Sequence, residues 1–186
     1  MKKIGIVTDS HSSISQEEAE KLGIFVLPMP FYIDGECFYE SVTLSRELFF
    51  EKLAAGADIT TSQPSPTAVM EIWDKALEQF EKILYMPISS GLSGSYETAM
   101  MLAKDEAYEG RVLVVDDGQV AAPLHQMVLD TLDMIEKGYE AEQIRDLLER
   151  AGDRMMIYIA LQTLECLKKG GRVTPAAAAV AVSYTH

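Results

Sequence analysis

Residues 82–95 read KILYMPISSGLSGS, and this stretch decides the fold class. Lys82–Pro87 is a short apolar run typical of a buried strand, and a turn rich in serine and glycine, Ser89–Ser95, follows it. A helix reaching to Lys104 is predicted beyond the turn. The order of strand, turn and helix is typical of a parallel sheet covered by helices.

The same order recurs on both sides of this stretch. Lys3–Val7 predicts a buried strand, which leads through the polar turn Thr8–Ser13 into a helix that starts at about Ser15 and ends near Gly23. Further strands are predicted at Ile24–Leu27, Arg111–Val115 and Met155–Leu161, and a hairpin joins Phe31–Ile33 to Cys37–Tyr39. A further helix is predicted at Leu44–Ala55, with Ser45 or Thr43 as its cap. Others are predicted at Ala121–Lys137, Ala141–Ala151 and Thr163–Lys169. The sequence therefore predicts an α/β fold: a mostly parallel sheet flanked by helices in a first domain, 1–152, and an incomplete second α/β domain, 153–186.

A second hydroxyl-rich turn, TTSQPSP at residues 60–66, precedes another helix. Ser65 suits an N-cap and Pro66 suits the first helical position. The helix is expected to run to about Phe80, because apolar residues recur at helical spacing. This predicted face consists of Val69, Ile72, Trp73, Ala76 and Phe80.

Three polar turns are expected beyond the carboxyl ends of the strands, where α/β sheets bind ligands. They are Thr8–Ser13, Thr60–Ser65 and Ser89–Ser95. Hydroxyls and unpaired backbone N–H groups at helix N-termini can hold a small anion such as a carboxylate or a phosphate. The turns therefore predict an anion site.

The composition excludes several classes of partner. The chain has 186 residues, 48% of them hydrophobic, and a formal net charge of −13, which repels phosphate backbones and anionic membrane surfaces. The basic cluster of Lys168, Lys169 and Arg172 is too small to bind nucleic acid. No apolar run approaches membrane-spanning length.

The cysteines and the first residues point to a reducing compartment. Cys37 and Cys166 are far apart and suggest no disulfide framework. The apolar stretch that begins at Met1 ends at Thr8, which is too short for a signal peptide. We therefore expect the protein in the cytoplasm.

Catalytic and metal-binding patterns are incomplete. Around Ser93, the second glycine stands one place too early for a nucleophile elbow, so a helix cap is the simpler interpretation. Neither hydroxyl-rich turn matches a nucleotide-binding loop. Asp9, Asp116 and Asp117 are carboxylates at strand ends, but aspartates there more often cap turns than bind magnesium. No catalytic residue and no metal ligand are predicted.

Four motifs occur in order along the chain: Thr8-Asp9-Ser10, Thr61-Ser62-Gln63-Pro64-Ser65, Ser89 to Tyr96 (SSGLSGSY), and Leu167 to Arg172 (LKKGGR). Together they closely resemble the DegV family of bacterial fatty-acid-binding proteins. The resemblance reaches to about Ala179. It implies a two-domain α/β protein that encloses one long-chain fatty acid in an apolar tunnel.

The resemblance also implies roles for individual residues. The fatty-acid carboxylate is expected at Thr61 and Ser93, with Ser62 and Gly94 nearby. Further candidates for ligand contact are Asp9, Ser10, Gly91 and Ser95. Members of the family present the acid to a fatty acid kinase, which makes the acyl-phosphate for phospholipid synthesis, and Arg172 resembles the segment that meets this kinase. The ligand is the fatty acid itself, and no cofactor is implied.

The chain departs from the family pattern in three places. Ser95 stands where threonine is usual, and the segment Asp117–Leu124 differs from the common serine- and glycine-rich version. The second domain stops after about thirty residues, so we expect a C-terminal truncation with foreign last residues. The histidine that this domain supplies to the carboxylate in the family cannot be assigned in this sequence, and His186 should not be taken for it. This chain alone is therefore expected to bind lipid poorly.

Two other functions are compatible with the same turns. One is an enzyme acting on a small phosphorylated or hydroxylated substrate through Asp9 and Asp116. The other is a regulatory domain that binds a different carboxylate. Identification of the ligand separates all three.

Overall fold

A four-stranded parallel sheet forms the centre of the molecule. The computed structural model describes residues 2–40, 42–158 and 165–173. The sheet has the strand order β2-β1-β6-β7, and its strands are β1 (Lys2–Asp9), β2 (Phe25–Leu27), β6 (Phe80–Met86) and β7 (Val112–Val114). All neighbouring strands in it run parallel, which confirms the predicted α/β class.

Helices cover both faces of this sheet. One face packs against α1 (Gln16–Leu22), α5 (Ala121–Glu136) and α6 (Ala141–Gly152). The other packs against α3 (Pro66–Leu77) and α4 (Ser95–Leu102). Strand residues alternate between the two cores, as the pleat requires. On β6, for example, Leu84 contributes to the first core and Ile83 and Tyr85 contribute to the second.

A separate antiparallel sheet lies beside the parallel one. Its order is β4-β3-β5, with β3 at Pro30–Ile33, β4 at Glu36–Tyr39 and β5 at Ile59–Thr61. Asp34 and Gly35 form the predicted hairpin turn, and both have positive φ. The turn Thr60–Ser65 therefore follows an antiparallel strand, so the prediction that it lies at the end of a parallel strand was wrong.

Helix α2 (Arg46–Ala54) follows the hairpin and has no buried residue. Leu48, Phe50 and Leu53 are each at least 40% exposed. Phe49 is half-buried and packs edge-on against Phe31 of β3, with ring centroids 5.6 Å apart. A helix that exposes this much apolar side-chain surface borders an open space, which is the candidate site described below.

Three of the predicted helix starts agree with the structure. The side chains of Ser15, Ser45 and Ser65 accept hydrogen bonds from backbone N–H groups in the first turns of α1, α2 and α3. Gly23, with a positive φ, ends α1.

The assignment of Phe80 to the face of α3 was wrong. The helix ends at Leu77, and Phe80 begins β6, where it pairs with Lys2 of β1. The ring of Phe80 lies over Gly5, where a Cβ atom would be only 2.5 Å from its Cδ2 atom. Pairing with a distant strand, rather than helical spacing, therefore fixes the position of Phe80.

The last described segments bear on the predicted second domain. Residues 155–158 form no strand, and the rest of the strand predicted at Met155–Leu161 lies outside the described residues. The short helix α7 (Glu165–Lys169) is present and ends before Gly170, as predicted. Residues 174–186 also lie outside the described residues, so the domain boundary at 152 stays a prediction.

Candidate functional site

A cavity of about 620 Å³ lies between the turn after β1, the antiparallel sheet and helix α2. We call it the α2 cavity. Its polar lining residues are Ser10, His11, Ser13, Ser15, Gln16, Glu40, Ser45, Arg46, Thr61 and Ser62. Its apolar lining residues are Ile14, Val26, Met29, Pro30, Phe31, Leu44, Phe49, Phe50 and Ile59. The cavity therefore combines hydroxyls with a large apolar wall, as sites for amphipathic ligands do.

Thr61 and Ser62, two of the residues predicted to bind the carboxylate, lie at the wall of this cavity. Thr61 is the last residue of β5 and pairs with Phe31 of β3. The backbone N–H of Ser62 donates to the Pro30 carbonyl oxygen at 3.4 Å, and its hydroxyl donates to the Gln63 carbonyl oxygen at 3.1 Å. The antiparallel sheet thus holds both residues beside the aromatic wall of the cavity, which consists of Phe31, Phe49 and Phe50.

The second turn does not line the α2 cavity. The Ser93 and Ser95 hydroxyl oxygens are 2.8 Å apart, and the Ser95 N–H donates to the Ser93 hydroxyl at 3.3 Å. Ser95 is only 3% exposed, so its hydroxyl supports the turn from inside. Gly94 is the N-cap residue of α4, so the interpretation of Ser93 as that cap was wrong. The N–H of Gly91 donates to the Ser89 hydroxyl at 3.2 Å.

The two hydroxyl-rich turns nevertheless lie side by side. Gln63 of the first turn accepts a hydrogen bond from Thr98 of α4, at 3.4 Å. A Cβ atom on Gly94 would be 3.0 Å from the same Gln63 oxygen, so this position suits glycine. The fold therefore brings together the two segments that the sequence predicted to act as a pair.

Arg172 joins the same two turns. Its Nε atom donates to the Leu92 carbonyl oxygen at 3.2 Å, and its Nη1 atom lies 3.4 Å from the Thr61 hydroxyl oxygen. Nη1 also donates to the Gly170 carbonyl oxygen at 2.8 Å. Arg172 remains exposed, so part of its guanidinium is accessible to a ligand or a partner.

Asp9 is a structural anchor of the turn after β1. It is fully buried, and its Oδ1 and Oδ2 atoms accept hydrogen bonds from the His11 and Ile88 N–H groups at 2.9 and 2.8 Å. Asp9 does not line the cavity, whereas its neighbour Ser10 does. The Ser10 hydroxyl accepts a hydrogen bond from the Met29 N–H at 3.1 Å. Asp9 therefore positions the turn, and Ser10 forms part of the wall.

Sequence reasoning assigned no role in ligand binding to His11, Arg46, Phe31, Phe49 or Phe50. The guanidinium of Arg46 lies 5.7 Å from the centre of the Phe50 ring, so an exposed cation covers part of the aromatic wall. The one available signal was the sequence of α2, which is apolar on several sides and predicts no single buried face.

Asp116 and Asp117 occupy the loop after β7. Asp116 accepts hydrogen bonds from the Ser90 and Gly118 N–H groups at 3.3 and 3.2 Å, so it braces the second turn. Asp117 accepts from the Gln119 N–H at 2.9 Å and is 1% exposed. Across the described residues, no three histidines, cysteines, aspartates or glutamates are grouped to hold a metal ion.

The described helices also bear on membrane insertion. Within residues 2–40, 42–158 and 165–173, no helix is both long and apolar enough to cross a bilayer.

The fold and the site define a class of protein: a parallel α/β domain with a small second sheet and a cavity lined by hydroxyls and aromatic rings. A family model described as "Uncharacterised protein, DegV family" matches residues 3–183. The chain belongs to the DegV family, which confirms the resemblance drawn from the four motifs.

Several relatives have similar sequences or structures. The DegV domain-containing protein TTE1491 of Caldanaerobacter subterraneus is 31% identical over 174 residues, which are 94% of this chain and 62% of the relative. A solved DegV family protein from Thermus thermophilus, described as binding fatty acid, has 33% identity and a TM-score of 0.83 over 94% of this chain and 62% of that one. A stearic acid-binding protein from Eubacterium ventriosum has 26% identity and a TM-score of 0.78, covering 97% and 63%. The chain thus spans about 62% of the length of these relatives.

Proposed function

We propose that this protein binds a long-chain fatty acid as a carrier and presents its carboxylate to a fatty acid kinase. The observation that carries the proposal is the α2 cavity, in which the Thr61 and Ser62 hydroxyls lie beside the aromatic wall of Phe31 and Phe49. The similar proteins from Thermus thermophilus and Eubacterium ventriosum are described as binding a fatty acid and stearic acid.

The physical chemistry of the ligand matches the lining. Each buried methylene contributes about 0.8 kcal/mol, so a C16 chain contributes roughly 10 kcal/mol before ordering costs. A carboxylate taken from water needs several hydrogen-bond donors to stay ionised. We assign this role to Thr61 and Ser62 at the cavity wall and to Ser93 and Gly94 on the adjacent turn, with Ser10, Gly91 and Ser95 supporting these donors.

The carrier role leaves the chemistry to the kinase. Asp9 and Asp116, the carboxylates of the enzyme alternative, already accept backbone hydrogen bonds, and Asp9 is fully buried. These contacts commit both carboxylates to holding the turns, so neither is assigned to abstract a proton from a ligand. In this proposal the exposed Arg172, beside the Leu92 carbonyl oxygen, meets the kinase. The kinase then phosphorylates the presented carboxylate, in the cytoplasm, for phospholipid synthesis.

The Thr61 hydroxyl provides a direct test with a matched control. Thr61→Val removes the hydroxyl while keeping the branched shape, and Thr60→Val makes the same change on the preceding residue of β5, which does not line the cavity. Calorimetric titration with decanoate should show weak but measurable binding to the wild-type chain and to Thr60→Val. We expect affinity to fall about fivefold in Thr61→Val, the effect of losing one hydrogen bond.

The kinase step needs a separate measurement. With a fatty acid kinase and ATP, acyl-phosphate formation from bound acid should fall in Thr61→Val and stay unchanged in Thr60→Val. Because this chain alone is expected to bind lipid poorly, weak binding agrees with the proposal, and binding of neither decanoate nor oleate would contradict it.

A further inference from the structure

His11 is the titratable side chain at the wall of the α2 cavity that lies on the turn after β1, between the lining residues Ser10 and Ser13. Its side chain is 33% exposed, yet its Nδ1 atom is completely buried. The exposed fraction therefore belongs to the rest of the ring. Because Nδ1 is the buried nitrogen, Nε2 is the nitrogen left for a ligand in the cavity that His11 lines.

The buried side of the ring faces the Asp9 carboxylate. The distance from His11 Nδ1 to Asp9 Oδ1 is 3.4 Å. Asp9 cannot move away easily, because the backbone N–H groups of His11 and Ile88 hold both of its oxygens and it is fully buried. A fixed carboxylate beside Nδ1 favours a proton on that nitrogen and stabilises the charged imidazolium.

Four charged groups face or neighbour the ring. Burial lowers the pKa of His11, but the Asp9 carboxylate, with a smaller contribution from Glu40, outweighs it, and the pKa is raised above its ordinary value of 6.5. The Arg172 guanidinium opposes this increase. Arg46 of α2 lines the same cavity and adds positive charge. His11 is thus more cationic near neutral pH than an ordinary histidine.

We propose that His11 is a specificity-determining residue that selects a carboxylate head group over an uncharged one, through an Nε2–H hydrogen bond to the ligand in the α2 cavity. The inference rests on the proposed function and adds to it an acid-recognising cation from the first domain. A hydroxyl cluster alone accepts an alcohol, an amide or an acid. A protonated imidazole adds a charge-assisted hydrogen bond that only the anion receives in full.

The protonation of His11 determines how decanoate affinity should depend on pH. The imidazolium donates to the carboxylate only while it is protonated, so decanoate affinity should be high below the raised pKa of His11 and fall as pH rises through it. Decanol, which has the same chain length and no charge, should bind equally across this range. The ratio of the two affinities therefore reports on the imidazolium and not on the apolar wall.

The experiment compares His11→Gln with His125→Gln in the 186-residue chain. His125 pairs with Glu18 at 3.2 Å and does not line the cavity, so it is a matched control. Affinities for decanoate and decanol are measured from pH 5.5 to 8.5. For wild type and His125→Gln, we expect the ratio of decanoate affinity to decanol affinity to be about tenfold higher at pH 6 than at pH 8.5. This change is equivalent to one charge-assisted hydrogen bond. His11→Gln should lose this change.

A second measurement uses only the wild-type chain, so it tests the proposal even if the His11→Gln variant folds poorly. In histidine-selective NMR, saturating decanoate should raise the pKa of His11 and leave the His125 resonances unmoved. An unmoved His11 pKa, or a pH-dependent preference retained in His11→Gln, would overturn the assignment while leaving the proposed function intact. Absence of any decanoate binding would overturn both.

Discussion

The guanidinium of Arg172 lies 3.4 Å from the Thr61 hydroxyl oxygen, although 111 residues separate the two in the chain. The same side chain donates to the Leu92 carbonyl oxygen at 3.2 Å. The loop after α7 is thereby fastened to both hydroxyl-rich turns. A ligand carboxylate at Thr61 would meet a second cation besides His11.

Arg172→Gln tests this contact. The change removes the charge and the hydrogen-bonding fork, and we expect decanoate affinity to fall roughly three- to tenfold because one exposed charged contact is worth about 1 kcal/mol. Arg154→Gln, an exposed arginine after α6, should leave the affinity unchanged. Calorimetric titration measures both. Equal affinities for the two variants would show that Arg172 does not act on the ligand.

Asp117 makes the stability of the fold depend on pH. Burial raises its pKa to about 7, the hydrogen bond from the Gln119 N–H opposes this, and the charges of Asp116 and Asp9 raise it further. The unfolded chain releases this proton at about pH 4, whereas the folded chain keeps it until about pH 7. The free energy of unfolding should therefore fall as pH rises from 4 to 7 and then level off for this group.

Asp117→Asn should remove that decline. Asn resembles the protonated acid in shape, so we expect it to raise the free energy of unfolding at pH 8 by on the order of 2 to 4 kcal/mol. Urea unfolding at pH 5 and pH 8 measures the effect, and the exposed Asp153→Asn serves as the control. A variant with the same pH dependence as wild type would contradict the assignment.

Ala121, the first residue of α5, has a left-handed backbone with φ of 55°. A residue with a Cβ atom is strained there by about 1 kcal/mol, and glycine is not. Ala121→Gly should therefore raise the melting temperature by about 2 to 4 °C in a protein of this size. Ala122→Gly, the next residue of the helix, should lower it. Thermal unfolding followed by circular dichroism gives both, and a lower melting temperature for Ala121→Gly would refute the strain.

Gly152, the last residue of α6, packs against the loop that holds Asp117. A Cβ atom at this position would be 2.1 Å from the Asp117 backbone oxygen, so the helix or the loop must shift. Gly152→Ala should cost about 2 to 3 kcal/mol, in the range of other overpacked sites. At Gly91 the nearest atom to an added Cβ is Ser89 Oγ at 3.5 Å, which is ordinary contact. Chemical unfolding should give a much lower free energy of unfolding for Gly152→Ala than for Gly91→Ala.

Local chemistry explains which features could be predicted from the sequence. Ser15, Ser45 and Ser65 identify helix starts because each side chain caps the helix that follows it directly in the chain. The hairpin at Asp34 and Gly35 is equally local, since only two residues must adopt a positive φ. Such signals depend on neighbours in sequence, so they need no knowledge of the fold.

Long-range pairing explains what was missed. Phe80 continues the helical spacing of α3, but its pairing with Lys2 and its contact over Gly5 place it in a strand. The division into two sheets depends on β3 pairing with β5 across more than twenty residues, which no local pattern encodes. The aromatic wall at Phe31 and Phe49 exists only after that pairing has formed.

Helix α2 has a consequence for the dynamics of the molecule. Local stability follows buried apolar contact, and α2 has no buried residue, whereas β1 and β6 lie in the core. Opening of α2 separates Phe49 from Phe31 and leaves both cores of the parallel sheet intact. The wall of the cavity can therefore unfold at a small fraction of the global free energy of unfolding, while the rest of the fold stays closed.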